Sequence, residues 1–180
     1  MARAHDGKLF TTRNDLDEET RVTVVRTLNQ SLADTTDLAT QVKHAHWNVK
    51  GEEFQQLHLL FDDQAELLAE HADSIAERAT ALGGHAMGTA RMAAEHSRID
   101  EMSDAVTCEE YLEALADRFA AHAENLREDV ETTLDAGDVG TSDMYTEILR
   151  ETDKQLWFLE SHLQGPELVE RTGVTVATDD

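Results

Sequence analysis

Long stretches of this chain carry apolar residues at helical spacing with no proline or glycine to interrupt them. The chain has one proline and nine glycines in 180 residues, and the glycines lie mainly between these stretches. Within them, apolar residues recur at intervals of three and four, which is the spacing of one helix face. Because a fold of many short strands needs far more turn residues, the pattern predicts an all-α protein.

The uninterrupted stretches and their capping residues predict four long helices and one short one. The predicted long helices begin near residues 14–17, 53, 107 and 141–143, and they end near residues 48–51, 82, 136 and 164. A short helix is expected near residues 90–96, in the long connection between the second and third long helices. Ferritin-like four-helix bundles have this crossover topology.

The same pattern predicts a single domain with a tail at each end. The bundle is expected over residues 14–165, after a flexible N-terminal tail of residues 1–13 and before a C-terminal tail of residues 166–180. Cys108 is the only cysteine, so an internal disulfide is impossible and a reducing compartment is expected. No apolar stretch reaches the length of a signal-peptide core or a membrane span, so we expect a cytoplasmic protein with no membrane partner.

The charge of the chain is strongly negative. It has 15 Lys+Arg against 38 Asp+Glu, a formal net charge of −23. This balance excludes a generally basic nucleic-acid binder, which needs clustered cations to contact phosphates. Arg outnumbers Lys by 11 to 4, as expected for a halophilic archaeal source. An ordinary acidic cytoplasmic protein is the alternative.

One stripe of the second helix combines a histidine with carboxylates. At about 100° per residue, His58, Asp62, Asp73 and Glu77 fall within roughly 100° of one another on the helix surface. A solvated acidic face is the alternative reading of such a stripe. His46, twelve residues before His58 across a turn, favours a metal site, because imidazole and carboxylate together bind divalent iron, manganese or zinc.

These ligands cannot surround one ion within a single chain. The middle of the pair His58 and Asp62 lies roughly 22 Å along the helix from the middle of Asp73 and Glu77. Two copies of the helix packed antiparallel about a twofold axis near residues 67–68 would bring each histidine half to the partner's acidic half. The spacing therefore predicts two identical sites at a dimer interface, with His46 completing each.

The sequence lacks the residues of a conventional ferritin-type di-iron site inside one bundle. Ferritin-type sites of that kind use Glu-x-x-His pairs. None of the nine histidines has a glutamate three residues before it.

The chain resembles the Dps family, the mini-ferritins known as DNA-binding proteins from starved cells. The resemblance covers about residues 20–165. The residues that carry it are His46-Trp47-Asn48-Val49-Lys50-Gly51, Phe54, Leu57-His58, Phe61-Asp62, Asp73, Glu77-Arg78, Leu82-Gly83-Gly84, Thr141, Asp143-Met144, Asp153-Lys154 and Trp157-Phe158-Leu159.

The resemblance implies a two-iron ferroxidase centre at a twofold interface. His46, His58 and Asp62 would come from one subunit, and Asp73 and Glu77 from the other. It further implies oxidation of Fe(II), preferentially by hydrogen peroxide, and storage of ferric mineral inside a hollow shell of twelve subunits. The implied role is iron detoxification that protects DNA from oxidative damage.

Four acidic residues receive secondary roles from the resemblance. Asp143, with Asp138 in a less certain register, would line acidic threefold pores through which iron enters, although Asp143 could instead cap the last helix. Glu66 and Glu70 would nucleate mineral, or be ordinary solvated glutamates. Trp47 would lie beside the iron site, in a packing or a radical-trapping role.

Two alternatives to an iron-storing shell remain from the sequence. A DNA-coating nucleoid protein is disfavoured, because the N-terminal tail has three basic residues against one acid and the rest of the chain repels a polyanion. A metal-free or zinc-bound shell is disfavoured because all five ligand positions hold competent side chains. Five histidines have no partner at ligand spacing and are expected at the surface or in packing; they are His5, His85, His96, His122 and His162. His44 and His71 flank the predicted site, but they match no ligand of the family.

Overall fold

The computed structural model of the chain describes residues 8–102 and 105–164. This part of the chain forms five helices and no strand, which confirms the predicted all-α fold. In chain order the helices are α1 (Glu18–Asn48), α2 (Phe54–Ala81), α3 (Ala90–His96), α4 (Cys108–Asp135) and α5 (Val139–Leu163). None of these helices combines the length and the apolar character needed to cross a lipid bilayer.

The four long helices pack as a bundle with the predicted crossover. The most extensive contacts join α1 to α2 and α4 to α5, and α1 also packs against α4. The crossover from α2 to α4 carries α3, which lies against α1. Going round the bundle, the order is α1, α2, α5, α4, so α2 and α4 stand on a diagonal.

The ends of the helices show which capping predictions were right. Asp17 caps α1 by accepting a hydrogen bond from the backbone N–H of Thr20 at 2.8 Å. Thr107 and Glu110 form the predicted capping box at the start of α4. The predicted start of α5 at residues 141–143 was wrong, because Asp138 caps this helix and Val139 is its first residue.

The apolar core consists of two clusters stacked along the bundle. One cluster, at the end that holds the turn between α1 and α2, includes Leu38, Phe61 and Phe119. The other, toward the opposite end, includes Leu28 and Ile75. Burying these large side chains is the main source of stability in such a fold. Not every apolar residue at helical spacing joins the core, since Leu134 and Trp157 are exposed.

An ionic network with two buried carboxylates holds the crossover segment to the bundle. Arg98, in the segment after α3, contacts Asp34 of α1 at 2.7 Å and Asp129 of α4 at 3.1 Å. Asp34 also accepts the backbone N–H of Arg98, and Asp129 accepts the hydroxyl of Ser31 at 2.5 Å. Burial raises the pKa of Asp129, which the hydrogen bond from Ser31 and the charge of Arg98 oppose. The network therefore joins three separate parts of the chain.

The described end of the predicted N-terminal tail is attached to the bundle. The backbone N–H of Phe10 donates to the carbonyl of Gly83 at 2.7 Å, and Leu9 packs against the second core cluster. Gly83 has a φ of +87°, and a Cβ there would lie 2.5 Å from the carbonyl oxygen of Phe10. Residues 1–7, with His5, and all of the predicted C-terminal tail lie outside the described residues.

Replacing Asp34 by Asn should lower the free energy of unfolding by about 2–4 kcal/mol, because it removes a buried charge from the Arg98 network. Asp153 offers a matched control, since its ion pair with Arg127 is exposed on both sides. Asp153→Asn should change stability by less than about 1 kcal/mol. Urea unfolding at one fixed protein concentration measures both, and equal effects would contradict the structural role of the network.

Candidate metal centre

His46 and His58 form a reciprocal pair where α1 ends and α2 begins. The Nδ1 of His46 donates to the backbone carbonyl of His58 at 2.7 Å, and the Nδ1 of His58 donates to the carbonyl of His46 at 2.9 Å. The rings stack with centroids 3.8 Å apart. A carbonyl only accepts, so each proton lies on Nδ1 and each Nε2 keeps a free lone pair. Both rings are thus held in the tautomer that binds a metal through Nε2.

The turn between α1 and α2 creates this pairing. Gly51 has a φ of +128°, a conformation that side chains rarely adopt, and it lets the chain reverse within the five residues 49–53. The thiol of Cys108 donates to the carbonyl of Lys50 at 3.0 Å, which fixes the turn to the start of α4. The ring of Phe54 stacks on His58 from the other side, with centroids 5.0 Å apart.

Asp62 lies one helical turn after His58 and is paired with a cation. The ammonium of Lys43 donates a short hydrogen bond to the Asp62 carboxylate, and the Nδ1 of His46 is 3.9 Å from it. The hydrogen bond from Lys43 holds the pKa of Asp62 below its usual range, against the opposing effect of desolvation. Asp62 is therefore an ionised, half-exposed carboxylate whose charge is balanced by Lys43.

Lys43 was not among the residues predicted for the site, although its position in the sequence could have indicated that it lies there. It lies three residues before His46, and residues three apart share a helix face.

Asp73 and Glu77 lie far along α2 from these groups. Both are exposed, one helical turn apart, and neither forms an ion pair within the described part of the chain. No three His, Cys, Asp or Glu side chains gather into a metal-binding group anywhere in residues 8–102 and 105–164. The chain thus places His46 beside His58 and within 3.9 Å of Asp62, without forming a complete three-ligand group, and it leaves Asp73 and Glu77 apart from them.

A shallow apolar groove of about 500 Å³ lies on the α1–α2 face between the two halves of the predicted site. Ala65, Ala69 and Ala72 of α2 form its floor, and Trp47, whose surface is 67% exposed, stands at one end. Exposed apolar surface of this kind marks a contact with another molecule. Glu66 also lines the groove, whereas Glu70 is exposed outside it.

The two predicted pore residues have different surroundings. Asp138 is 3% exposed, and its carboxylate accepts two hydrogen bonds from Arg78, at 2.8 and 2.9 Å. Burial raises the pKa of Asp138, but hydrogen bonds from Thr141 and then Arg78 outweigh it and hold the pKa low. The negative charge of Asp138 is thus paired with Arg78 of the same chain. Asp143 is exposed and lies inside α5, so it does not cap that helix.

The fold and the two half-sites define a class of protein, the ferritin-like helical bundles. The sequence matches the ferritin-like domain family over residues 25–169. It is 39% identical over 158 residues to the DNA protection during starvation protein of Agrobacterium fabrum, which covers 87% of this chain and 98% of that protein. The chain therefore belongs to the Dps family, the DNA protection during starvation proteins.

Solved structures agree with this assignment. An archaeal Dps homologue from Halobacterium salinarum superposes with a TM-score of 0.83 at 31% identity, covering 96% of this chain and 97% of that one. The Dps protein of Vibrio cholerae O1, described as a member of a superfamily of ferritin-like diiron-carboxylate proteins, gives a TM-score of 0.81 at 27% identity, covering 87% and 99%. A halophilic source for this chain stays a prediction.

Replacing Lys43 by Met should strengthen cation binding at Asp62, because the metal no longer competes with an ammonium group. We expect Zn²⁺ to bind the assembled protein about three- to ten-fold more tightly, as for loss of one partly screened charge. Calorimetric titration measures the affinity. Lys50→Met removes the charge of an exposed lysine with no ion pair in the described residues and should leave the affinity unchanged; equal effects of the two substitutions would contradict the role of Lys43.

Proposed function

We propose that this chain is the subunit of an iron-oxidising and iron-storing shell whose ferroxidase centres form between pairs of subunits. The observation that carries the proposal is that one set of potential metal ligands is divided between the two ends of a single strip on the α1–α2 surface. His46, His58 and Asp62 lie at one end of the strip, Asp73 and Glu77 lie at the other, and the apolar groove lies between them.

A twofold pairing of α2 helices would complete the site. Asp62 and Asp73 are placed about symmetrically around residues 67–68, where two antiparallel copies would cross. Ala65 and Ala69 leave room for a second helix at this crossing, and covering the groove would bury the exposed ring of Trp47. Each histidine half would then face the acidic half of the partner subunit, which gives two sites per dimer.

The donor set fits iron as the substrate. Two imidazole nitrogens with free lone pairs and three carboxylates offer the mixed nitrogen and oxygen ligands that Fe(II) accepts. The carboxylates stabilise Fe(III) more than Fe(II), which favours oxidation. Lys43 would leave Asp62 as iron enters, and the ionised Asp62 would then need no deprotonation.

Paired sites suit peroxide as the oxidant. Two Fe(II) ions each give one electron, and one hydrogen peroxide molecule accepts both electrons with two protons to form two water molecules. A single iron would deliver one electron and release a hydroxyl radical. Two irons held together therefore consume Fe(II) and hydrogen peroxide without releasing a hydroxyl radical.

We infer a dodecameric shell with acidic entry pores. The exposed Asp143 stays the candidate pore residue, because a ring of such carboxylates raises the local concentration of cations. Asp138 is not a candidate pore residue, since it neutralises Arg78 and caps α5. Glu70 is the stronger candidate for mineral nucleation, because Glu66 lines the groove that the partner subunit would cover.

We infer that this cytoplasmic protein would protect DNA by removing iron and peroxide rather than by coating it. A chain of net charge −23 repels a polyanion, and salt that screens the repulsion also weakens any attraction.

Fe(II) loaded anaerobically and then treated with peroxide should be consumed in a ratio of about two per peroxide, with the iron retained by the particle. His58→Ala combined with Asp62→Ala should slow this oxidation by at least about 100-fold while the shell still assembles. The matched control is Glu95→Ala with His96→Ala, an exposed acid and histidine of α3. An unchanged rate in the first variant would refute the ligand assignment.

A further inference from the structure

A polar layer lies between the two apolar clusters of the bundle, and the proposed iron chemistry does not use it. On α2, His71 separates Leu68 of the first cluster from Ile75 of the second; on α4, His122 separates Phe119 from Leu126. The other two long helices add Asp34 and Glu151 at the same level. Every long helix of the bundle thus contributes a polar side chain to this layer.

The two histidines of this layer have buried nitrogens without partners. His122 is 0% exposed and neither ring nitrogen has a hydrogen bond; His71 is 5% exposed and its Nδ1 has none. The Nε2 of His71 is 2.6 Å from the Oε2 of Glu151 and donates to it, so its Nδ1 carries a lone pair. Unpartnered buried polar atoms cost about 1–3 kcal/mol each, which calls for a ligand.

The bundle brings both rings into one interior layer. The helices α2 and α4 stand on a diagonal, and His71 and His122 are both buried at the level between the two apolar clusters. The two rings therefore enter the interior from different helices, and His71 is close enough to affect the pKa of His122. Burial first, and then His71 and Arg98, hold the pKa of His122 down to about 3, so this imidazole stays neutral.

One carboxylate of the layer is placed as the partner of a metal-bound imidazole. Arg98 pairs with Asp34 and Asp129, which leaves Glu151 as the carboxylate that contacts a histidine. A carboxylate that accepts the far N–H of a histidine is the usual partner of a metal-bound imidazole. Glu151 and His71 already form that pair without a metal.

We propose that the Nδ1 of His71 and a ring nitrogen of His122 bind one divalent late transition-metal ion, of the zinc class, inside each subunit. Water completes the coordination, since no third His, Cys, Asp or Glu ligand is gathered there among the described residues. Two neutral imidazoles prefer Zn²⁺ or Co²⁺ to the oxygen-rich environment of ferric mineral. The site stabilises the bundle interior and is independent of the interface centre.

The test uses the assembled protein with His58→Ala and Asp62→Ala, which disable the interface site. After removal of metal with a chelator, it is loaded with Zn²⁺, dialysed, and assayed for zinc by elemental analysis. We expect about one zinc per chain. This zinc should be lost when His122→Leu is added and kept when His162→Leu, a substitution of an exposed histidine, is added instead. Co²⁺ loading should give a visible absorption band that His122→Leu also removes.

No retained zinc, or zinc retained equally with His122→Leu, would overturn the proposal. If His122→Leu does not assemble, His122→Asn is measured in the same way. Iron oxidation by peroxide in His122→Leu, with the interface ligands intact, should match the unmodified protein. That comparison separates failure of this site from failure of the proposed ferroxidase centre.

Discussion

The stiffness of α2 is the constraint on which the rest of the structure depends. A continuous helix of 28 residues cannot bring its own residues 58 and 77 around one ion. The proposed metal ligands of this chain therefore lie in two groups, with the exposed groove between them. In the proposed function a second copy completes the site, so that assembly and activity are linked.

The turn before α2 arranges one half of the proposed site in advance. The reciprocal hydrogen bonds of His46 and His58 fix both tautomers before any metal arrives, so little ordering is needed on binding. Cys108 and Gly51 hold the turn in place. Lys43 compensates the charge of Asp62 while no metal is bound. These contacts come from three helices, so the core packing of the bundle also determines the geometry of the half-site.

Much of the fold follows from the sequence, because its signals are local. The bounds of α3 and the capping box of α4 depend on a few neighbouring residues and were predicted correctly. The helical rise alone is enough to predict that the proposed ligands lie in two separate groups along α2. The start of α5 was mispredicted because Asp138 gains a distant partner, Arg78. The polar layer was missed because His71 and His122 enter one interior layer only when the helices pack, and spacing along the chain does not show this.

Mixed assembly tests the divided site most directly. One variant carries His58→Ala and Asp62→Ala, the other carries Asp73→Ala and Glu77→Ala, and each alone should be inactive. Coexpressed in equal amounts, random pairing leaves one intact site in each mixed dimer, so about one quarter of the peroxide-driven oxidation rate should return. A mixture as inactive as its two parents would contradict a site shared between subunits.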